Sequence, residues 1–223
     1  MIEADAEKLA HIPFSRCGLD IVVTRDLRPY RTRKVRILNG AHTMSVLLGH
    51  LAGHTTVEEM LRDDVCRVYL EDGIRGEIIP SFEGEGLEAY AASVLERFRN
   101  PFLNHKLLDI SLNSVSKWKT RNLCSLKDDI AGTGKCPRSL SLSLAGLIAF
   151  YKAGAGDFVR DDPAVVGIVA EKSVREIMAC ETLWGEDLTL LHPEFAGIVE
   201  RDYARICEIG ARAAVEERNR GLL

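Results

Sequence analysis

Lys34, Asn39 and His42 are separated by five and then three residues. An amine, an amide and an imidazole at that spacing can handle a proton. On an α-helix advancing about 100° and 1.5 Å per residue, Lys34 and His42 lie roughly 80° apart and Asn39 within about 140° of Lys34, so one broad face carries all three. A lysine desolvated on such a helix, inside a cluster of like charge, favours its neutral amine. That amine can take the proton of a secondary alcohol, with Asn39 donating to the developing oxyanion and His42 fixing the alcohol or the amine. In reverse, Lys34 protonates a carbonyl oxygen as hydride arrives. The residues alone leave a plainer alternative open, in which Lys34 snorkels from an amphipathic helix and Asn39-Gly40 punctuates it.

A second polar cluster runs from Arg97 to Arg121. Within it Asn113, Lys117 and Arg121 recur every fourth residue and form one stripe on a helix. The stripe is either a solvated face or one wall of a pocket for a carboxylate and a polyol, with Arg121 gripping the carboxylate as a fork. His50 and His54 are four apart, but Gly49 and Gly53 beside them suggest a helix end and no carboxylate sits at a clear third-ligand offset, so no metal site is expected. Ala131-Gly-Thr-Gly-Lys-Cys136 departs from a P-loop at Asp129 and Cys136 and reads as a turn. Gly154-Ala-Gly156 lacks the third glycine of a dinucleotide fingerprint and follows no strand.

The elements that must position these side chains are mainly helical. Leu19–Thr24 is β-rich and reads as one short strand closed by Pro29; Ile37, Leu38, Ala41, Met44, Leu47, Leu48 and Leu51 keep helical periodicity until Gly53. Thr56 and Glu59 form a capping-box pattern ahead of Val57–Arg62, and a helix over 63–78 stops before Pro80. Further helices are predicted over 85–99, 102–112, 115–130, 138–153, 163–181 and 194–217, with 154–162 as a surface loop. At most one or two short strands are expected in an α domain filling residues 1–223.

The bulk properties narrow the partners. A net charge of −4 over 223 residues argues against general nucleic-acid binding. Arg25, Arg28, Arg31, Arg33, Lys34 and Arg36 stand against one acid, Asp26, which suits a small anion better than a polyanion. Six cysteines without a CxxC pair read as reduced, mostly buried thiols of a cytoplasmic protein. The acidic start is no signal peptide, and the apolar stretch Leu140–Tyr151 is too short for a bilayer, so neither membrane nor nucleic acid is expected as a partner.

Lys34-Val-Arg-Ile-Leu-Asn39-Gly-Ala-His42-Thr, with Arg97-Phe-Arg-Asn-Pro101 and Asn113-Ser-Val-Ser-Lys117, resembles the C-terminal domain of the polyol-specific long-chain dehydrogenases, the mannitol dehydrogenase superfamily. Gly18–Thr24, Pro29–Lys34, Glu77–Pro80, Phe98–His105 and Ala145–Tyr151 look most like the members that act on hexuronates. The resemblance spans essentially the whole chain. It implies a multi-helical domain that follows a Rossmann domain, and NAD-dependent interconversion of a sugar acid and its keto form. It assigns Lys34 as general acid/base with Asn39 and His42 as its companions; Arg31, His105, Asn113, Lys117 and Arg121 are taken as substrate-binding residues. A further family asparagine belongs upstream, as does the Rossmann domain that binds NAD, in cis or in trans.

Two departures bear on the substrate. Mannitol-type members have glutamate three residues before the lysine and arginine at the position of Asp109, whereas this chain has Arg31 and Asp109. The exchange of an acid for Arg31 fits a hexuronate better than a neutral hexitol, while Asp109 offers an anion nothing. Competing expectations are a mannitol- or fructuronate-type domain, and a catalytically silent helical module that binds a sugar acid or a partner chain.

Overall fold

The computed structural model describes residues 1–5, 7, 18–19, 21–154 and 158–222. The mainly helical expectation holds. Strands β1 (Ile2–Glu3) and β2 (Val23–Thr24) pair in parallel over two residues each. Of the strand predicted over 19–24 only Val23–Thr24 pairs as a strand, and Asp20 lies outside the described residues.

Two helices form the centre. From Arg28 the chain runs as one rod: α1 (Arg28–Arg33), a π-helical segment (Lys34–Asn39) and α2 (Gly40–Leu51). In α2 every residue from Gly40 to Gly49 except His42 is buried. The second central helix is α9 (Arg138–Gly154), buried from Ser139 through Tyr151. Here the apolar run that is too short for a membrane is the heart of the core, and among the described residues no helix is long and apolar enough to cross a bilayer. Helices α2 and α9 meet at Gly146, where a Cβ would lie 2.5 Å from Leu48 Cδ2, so only hydrogen fits.

Around them lie α3 (Val57–Arg62), α4 (Asp64–Gly73), α5 (Leu87–Phe98), α6 (Leu107–Ile110), α7 (Ser114–Arg121), α8 (Leu123–Thr133), α10 (Pro163–Glu171), α11 (Val174–Met178), α12 (Glu181–Trp184), α13 (Phe195–Ile209) and α14 (Ala211–Asn219). The Thr56–Glu59 capping box is present, and a second, Ser173–Glu176, divides the predicted 163–181 helix by starting α11. Left-handed Gly210 divides 194–217, and Asn122 divides 115–130. The helix expected over 102–112 shrinks to α6, because His105 O accepts from Val57 N at 3.0 Å and Leu107 N donates to Thr55 O at 2.9 Å. That pairing fixes 105–107 as extended chain. The 63–78 helix continues through a π segment (Ile74–Ile78) into a 3-10 turn that includes Pro80.

Several polar groups in the core are satisfied by long-range bonds. Glu77 accepts from Ser139 N at 2.6 Å and Leu140 N at 2.9 Å, closing the start of α9, and pairs with Arg218 at 3.4 Å. Trp118 Nε1 donates to Ser143 Oγ at 3.1 Å. Cys66, Cys124, Cys136, Cys180 and Cys207 are free, but only Cys66 is buried and Cys207 is exposed, so the thiols are less enclosed than expected. Cys17 and most of the residues before it lie outside the described residues. Of the 131–136 stretch expected as a turn, Ala131–Thr133 form the last residues of α8, and the chain turns only from left-handed Gly134 onward.

Candidate active site

The π segment changes the geometry of Lys34, Asn39 and His42. Gly40 N reaches back to Val35 O, a bond spanning five residues. A helix closed that way has about 4.4 residues per turn, or roughly 80° per residue. Five such steps carry Asn39 about 50° past a full turn from Lys34, against about 140° on an α-helix. Three α-helical steps then bring His42 back to within about 10° of Lys34. Ideal winding of that kind would bring the three residues onto a narrower stripe than a uniform α-helix does.

Arg36, within the same segment, anchors it from the other side. It pairs with Asp128 at 2.6 Å and its Nη1 donates to Ser81 Oγ at 3.3 Å. Most of the basic cluster is engaged similarly: Arg25 with Asp5, Arg28 with Asp26, and Arg33 with Glu85 O and the Tyr90 ring. Arg31 and Lys34 are exposed and make no ion pair among the described residues. The expected anion cluster is thereby reduced to these two. The expected desolvation of Lys34 is also not met, because the face it stands on is open.

His42 is the enclosed member. Its ring stacks on Phe98 with centroids 4.0 Å apart and planes 15° from parallel. Its Nε2 is buried with no hydrogen-bond partner among the described residues. Burial, then the positive fields of His105, Arg121 and Lys117, hold its pKa down at about 4. His42 is therefore a neutral imidazole at neutral pH, suited to orienting a hydroxyl and unsuited to donating its charge. An unpaired buried nitrogen costs about 1–3 kcal/mol, which a substrate hydroxyl beside it would recover.

The three fields at His42 show that the second polar cluster reaches the same place. Arg121 Nη1 donates to Thr43 Oγ1, beside His42, at 3.1 Å. Lys117 Nζ donates to Ile110 O at 2.9 Å. Burial lowers the pKa of both cations, and for Lys117 the Arg121 guanidinium adds to the effect. The stripe is only partly as expected: Lys117 and Arg121 lie on α7, but Asn113 precedes it in left-handed conformation, φ 54°, and is exposed. Its N–H donates to Arg160 O at 2.9 Å. His105 is exposed on its extended segment, close enough for its field to act on His42. Arg31 lies one turn before Lys34 on the rod.

Sequence reasoning missed Phe98 as the platform of His42 and Thr43 as the partner of Arg121. It also missed Asn122, fully buried with both amide atoms unpartnered, whose Oδ1 lies 3.2 Å from where a Gly40 Cβ would stand. No periodic signal marks such residues; each matters through a contact between helices distant in sequence.

The described residues offer one cluster of metal-ligating side chains and no dinucleotide cradle. His54, Asp63 and Cys66 come together, but Arg212 Nε lies 2.7 Å from Asp63 Oδ2 and occupies the carboxylate. His50 turns instead to the edges of Phe150 and Phe158, away from any pairing with His54. The described strands are two residues long, and no strand–glycine turn–helix grips a pyrophosphate among the described residues. A cleft of about 1180 Å³ beside α1 is lined by Tyr30, Arg33, Phe82 and Leu87, without Lys34, Asn39 or His42. The residues present fit proton handling and anion binding.

A multi-helical scaffold that carries a lysine, an amide and an imidazole on one helical rod, with the half-buried cations Lys117 and Arg121 on a neighbouring helix, defines the class. The profile of the mannitol dehydrogenase C-terminal domain matches residues 26–207. This chain belongs to that family. It is 37% identical over 216 residues to the altronate oxidoreductase of Bacillus subtilis (strain 168), covering 92% of this chain and 44% of that protein. It is 33% identical to the altronate oxidoreductase of Bacteroides thetaiotaomicron, over 97% of this chain and 48% of that protein. The chain spans about half the length of these curated relatives. Its fold matches Pseudomonas fluorescens mannitol 2-dehydrogenase, solved as a ternary complex with NAD and D-mannitol, with a TM-score of 0.79 at 22% identity, over 89% of this chain and 42% of that one.

Proposed function

We propose that this chain is the substrate-binding and proton-handling part of an oxidoreductase that interconverts D-altronate and D-tagaturonate. The observation that supports the reading is the hydrogen bond from Arg121 to Thr43 Oγ1 beside the neutral His42, on the same rod as Lys34 and Asn39, with Lys117 and His105 near enough for their fields to act on that imidazole. Cations at one end suit the carboxylate of a sugar acid. An amine, an amide and an imidazole at the other suit a secondary alcohol. The altronate oxidoreductases among its relatives supply the particular substrate pair.

In this reading the substrate hydroxyl sits between Lys34 and His42. The amine of Lys34 removes its proton during oxidation and returns it during reduction. Asn39 donates to the oxygen as charge develops there. His42, held by Phe98, keeps the hydroxyl in line. NAD, when bound by a Rossmann domain in cis or in trans, supplies the hydride chemistry. Covering the open face would also strip water from Lys34, favouring the neutral amine that the role requires.

The test is NAD-linked oxidation of D-altronate, D-mannitol and D-fructuronate's alcohol counterpart by this chain joined to its Rossmann domain. Preference for altronate is expected, and preference for mannitol would overturn the assignment. A second reading draws on the exposure of Lys34: a silent module that binds sugar acids through Lys117 and Arg121 alone. It requires that altronate binds while the assembled protein turns nothing over.

A further inference from the structure

Arg160 lies on the segment leading into α10, far in sequence from every residue assigned above. Its Nη2 donates to Leu108 O and pairs with Asp109 Oδ1 at 3.1 Å. Lys117 Nζ holds Ile110 O, two residues further along the same short helix α6. The Arg160 carbonyl accepts from Asn113 N, one helical turn before Lys117. Three contacts thus tie Arg160 to the two ends of the structure that carries Lys117.

Among the described residues, Arg121 and Arg160 disfavour the charged form of Lys117 and Asp161 favours it, while Asp109 pairs with Arg160. Both acids are engaged: Asp109 by Arg160, and Asp161 by the Tyr151 hydroxyl, which also accepts from Val115 N at 3.3 Å. The Arg160 field adds to the burial that already disfavours the charged form of Lys117. An anion placed between the two would relieve that repulsion. Arg160 remains half exposed, and only Nη2 is used among the described residues, so Nε and Nη1 keep donors for a ligand.

We propose that Arg160 is a specificity-determining residue which, with Lys117, grips the carboxylate of the sugar acid, and that Asp109 is the positioning residue that aims it. The proposal rests on the sugar-acid reading above. In it, Asp109 is useful to an anion through the guanidinium it holds, contrary to its bare charge. The fork geometry of arginine gives two parallel N–H donors to a carboxylate and nothing comparable to a hydroxymethyl group.

The experiment is a titration of this chain, followed by NMR and calorimetry, with D-altronate and with its neutral hexitol, D-altritol. For the wild type, tighter binding of altronate is expected. Arg160→Gln should lose about tenfold in altronate affinity and leave altritol unchanged, a factor worth about 1.4 kcal/mol. Asp109→Asn should weaken altronate binding several-fold, with recovery in Asp109→Glu and an unchanged melting curve. If Arg160→Gln binds altronate as the wild type does, the role of Arg160 is overturned while the sugar-acid reading stands. If the wild type fails to favour altronate over altritol, the sugar-acid reading falls and this inference with it.

Discussion

The imidazole of His42 lies flat on the ring of Phe98, 4.0 Å between centroids, with its Nε2 buried and unpartnered. One aromatic platform thereby sets the orientation of a site residue and adds to the burial that keeps it neutral. Phe98 comes from α5, fifty-six positions along the chain, and belongs to a motif whose role is invisible without that contact.

His42 should stay neutral down to about pH 4. An NMR titration of the imidazole checks this directly, and a midpoint near the ordinary value of 6.5 would sink it.

The same shift makes folding depend on pH. Above pH 6.5 the imidazole is neutral in both states and its stabilising contribution is complete. As pH falls from 6.5 towards 4, the unfolded chain binds a proton that the folded one refuses, so up to about 3 kcal/mol is lost. Asp129 and Asp202 oppose this. Burial raises both to about pH 6, so their contribution is present at low pH and lost as pH rises from about 4 to 6. Subtracting the stability of His42→Gln from that of the wild type isolates the histidine. That difference should shrink between pH 6.5 and 4, and a flat difference would refute the assignment.

Gly146→Ala should destabilise the fold by about 1–3 kcal/mol. The new methyl would stand 2.5 Å from Leu48 Cδ2 and 2.7 Å from its Cγ, where two buried helices cross. Denaturant unfolding measures the effect; a neutral substitution would show that the α2–α9 crossing is looser than the packing implies.

Glu77→Ala should cost about 3–5 kcal/mol, because it leaves Arg218 without its buried partner and the first N–H groups of α9 open. Thermal unfolding of Glu77→Ala beside Glu77→Gln separates the charge from the hydrogen bonds. Equal stability of Glu77→Ala and wild type would contradict the role.

Lys34→Ala, in this chain joined to its Rossmann domain, should lower kcat and kcat/KM for altronate by two or more orders of magnitude, the scale of general acid–base catalysis, with an unchanged melting curve. Exposure of Lys34 makes folding indifferent to the change. Retained turnover would remove the acid/base role.

The mainly helical class was legible in the apolar periodicity, and the capping box at Thr56–Glu59 announced its helix correctly, because such signals act within one turn. Breaks at Asn122, Ser173 and Gly210 were not read, although the Ser173–Glu176 pair carries the same local signal as Thr56–Glu59. The short α6 was unreadable in principle, since the bonds that hold 105–107 extended come from Thr55 and Val57.

Sequence by itself determined the chemical inventory: an amine, an amide and an imidazole in one short run, and Lys117 and Arg121 one turn apart. Residue type and local spacing suffice for that. Tertiary structure decided what the inventory can do. The wider winding of residues 34–39 changes the register of Lys34, Asn39 and His42 from that of a uniform α-helix, and backbone hydrogen bonds rather than residue spacing set it. Packing of α2 against α5 and α7 enclosed His42 and turned two distant cations toward it, while Lys34 stayed in the open. Desolvation and field depend on which surfaces meet, and no spacing along the chain encodes that.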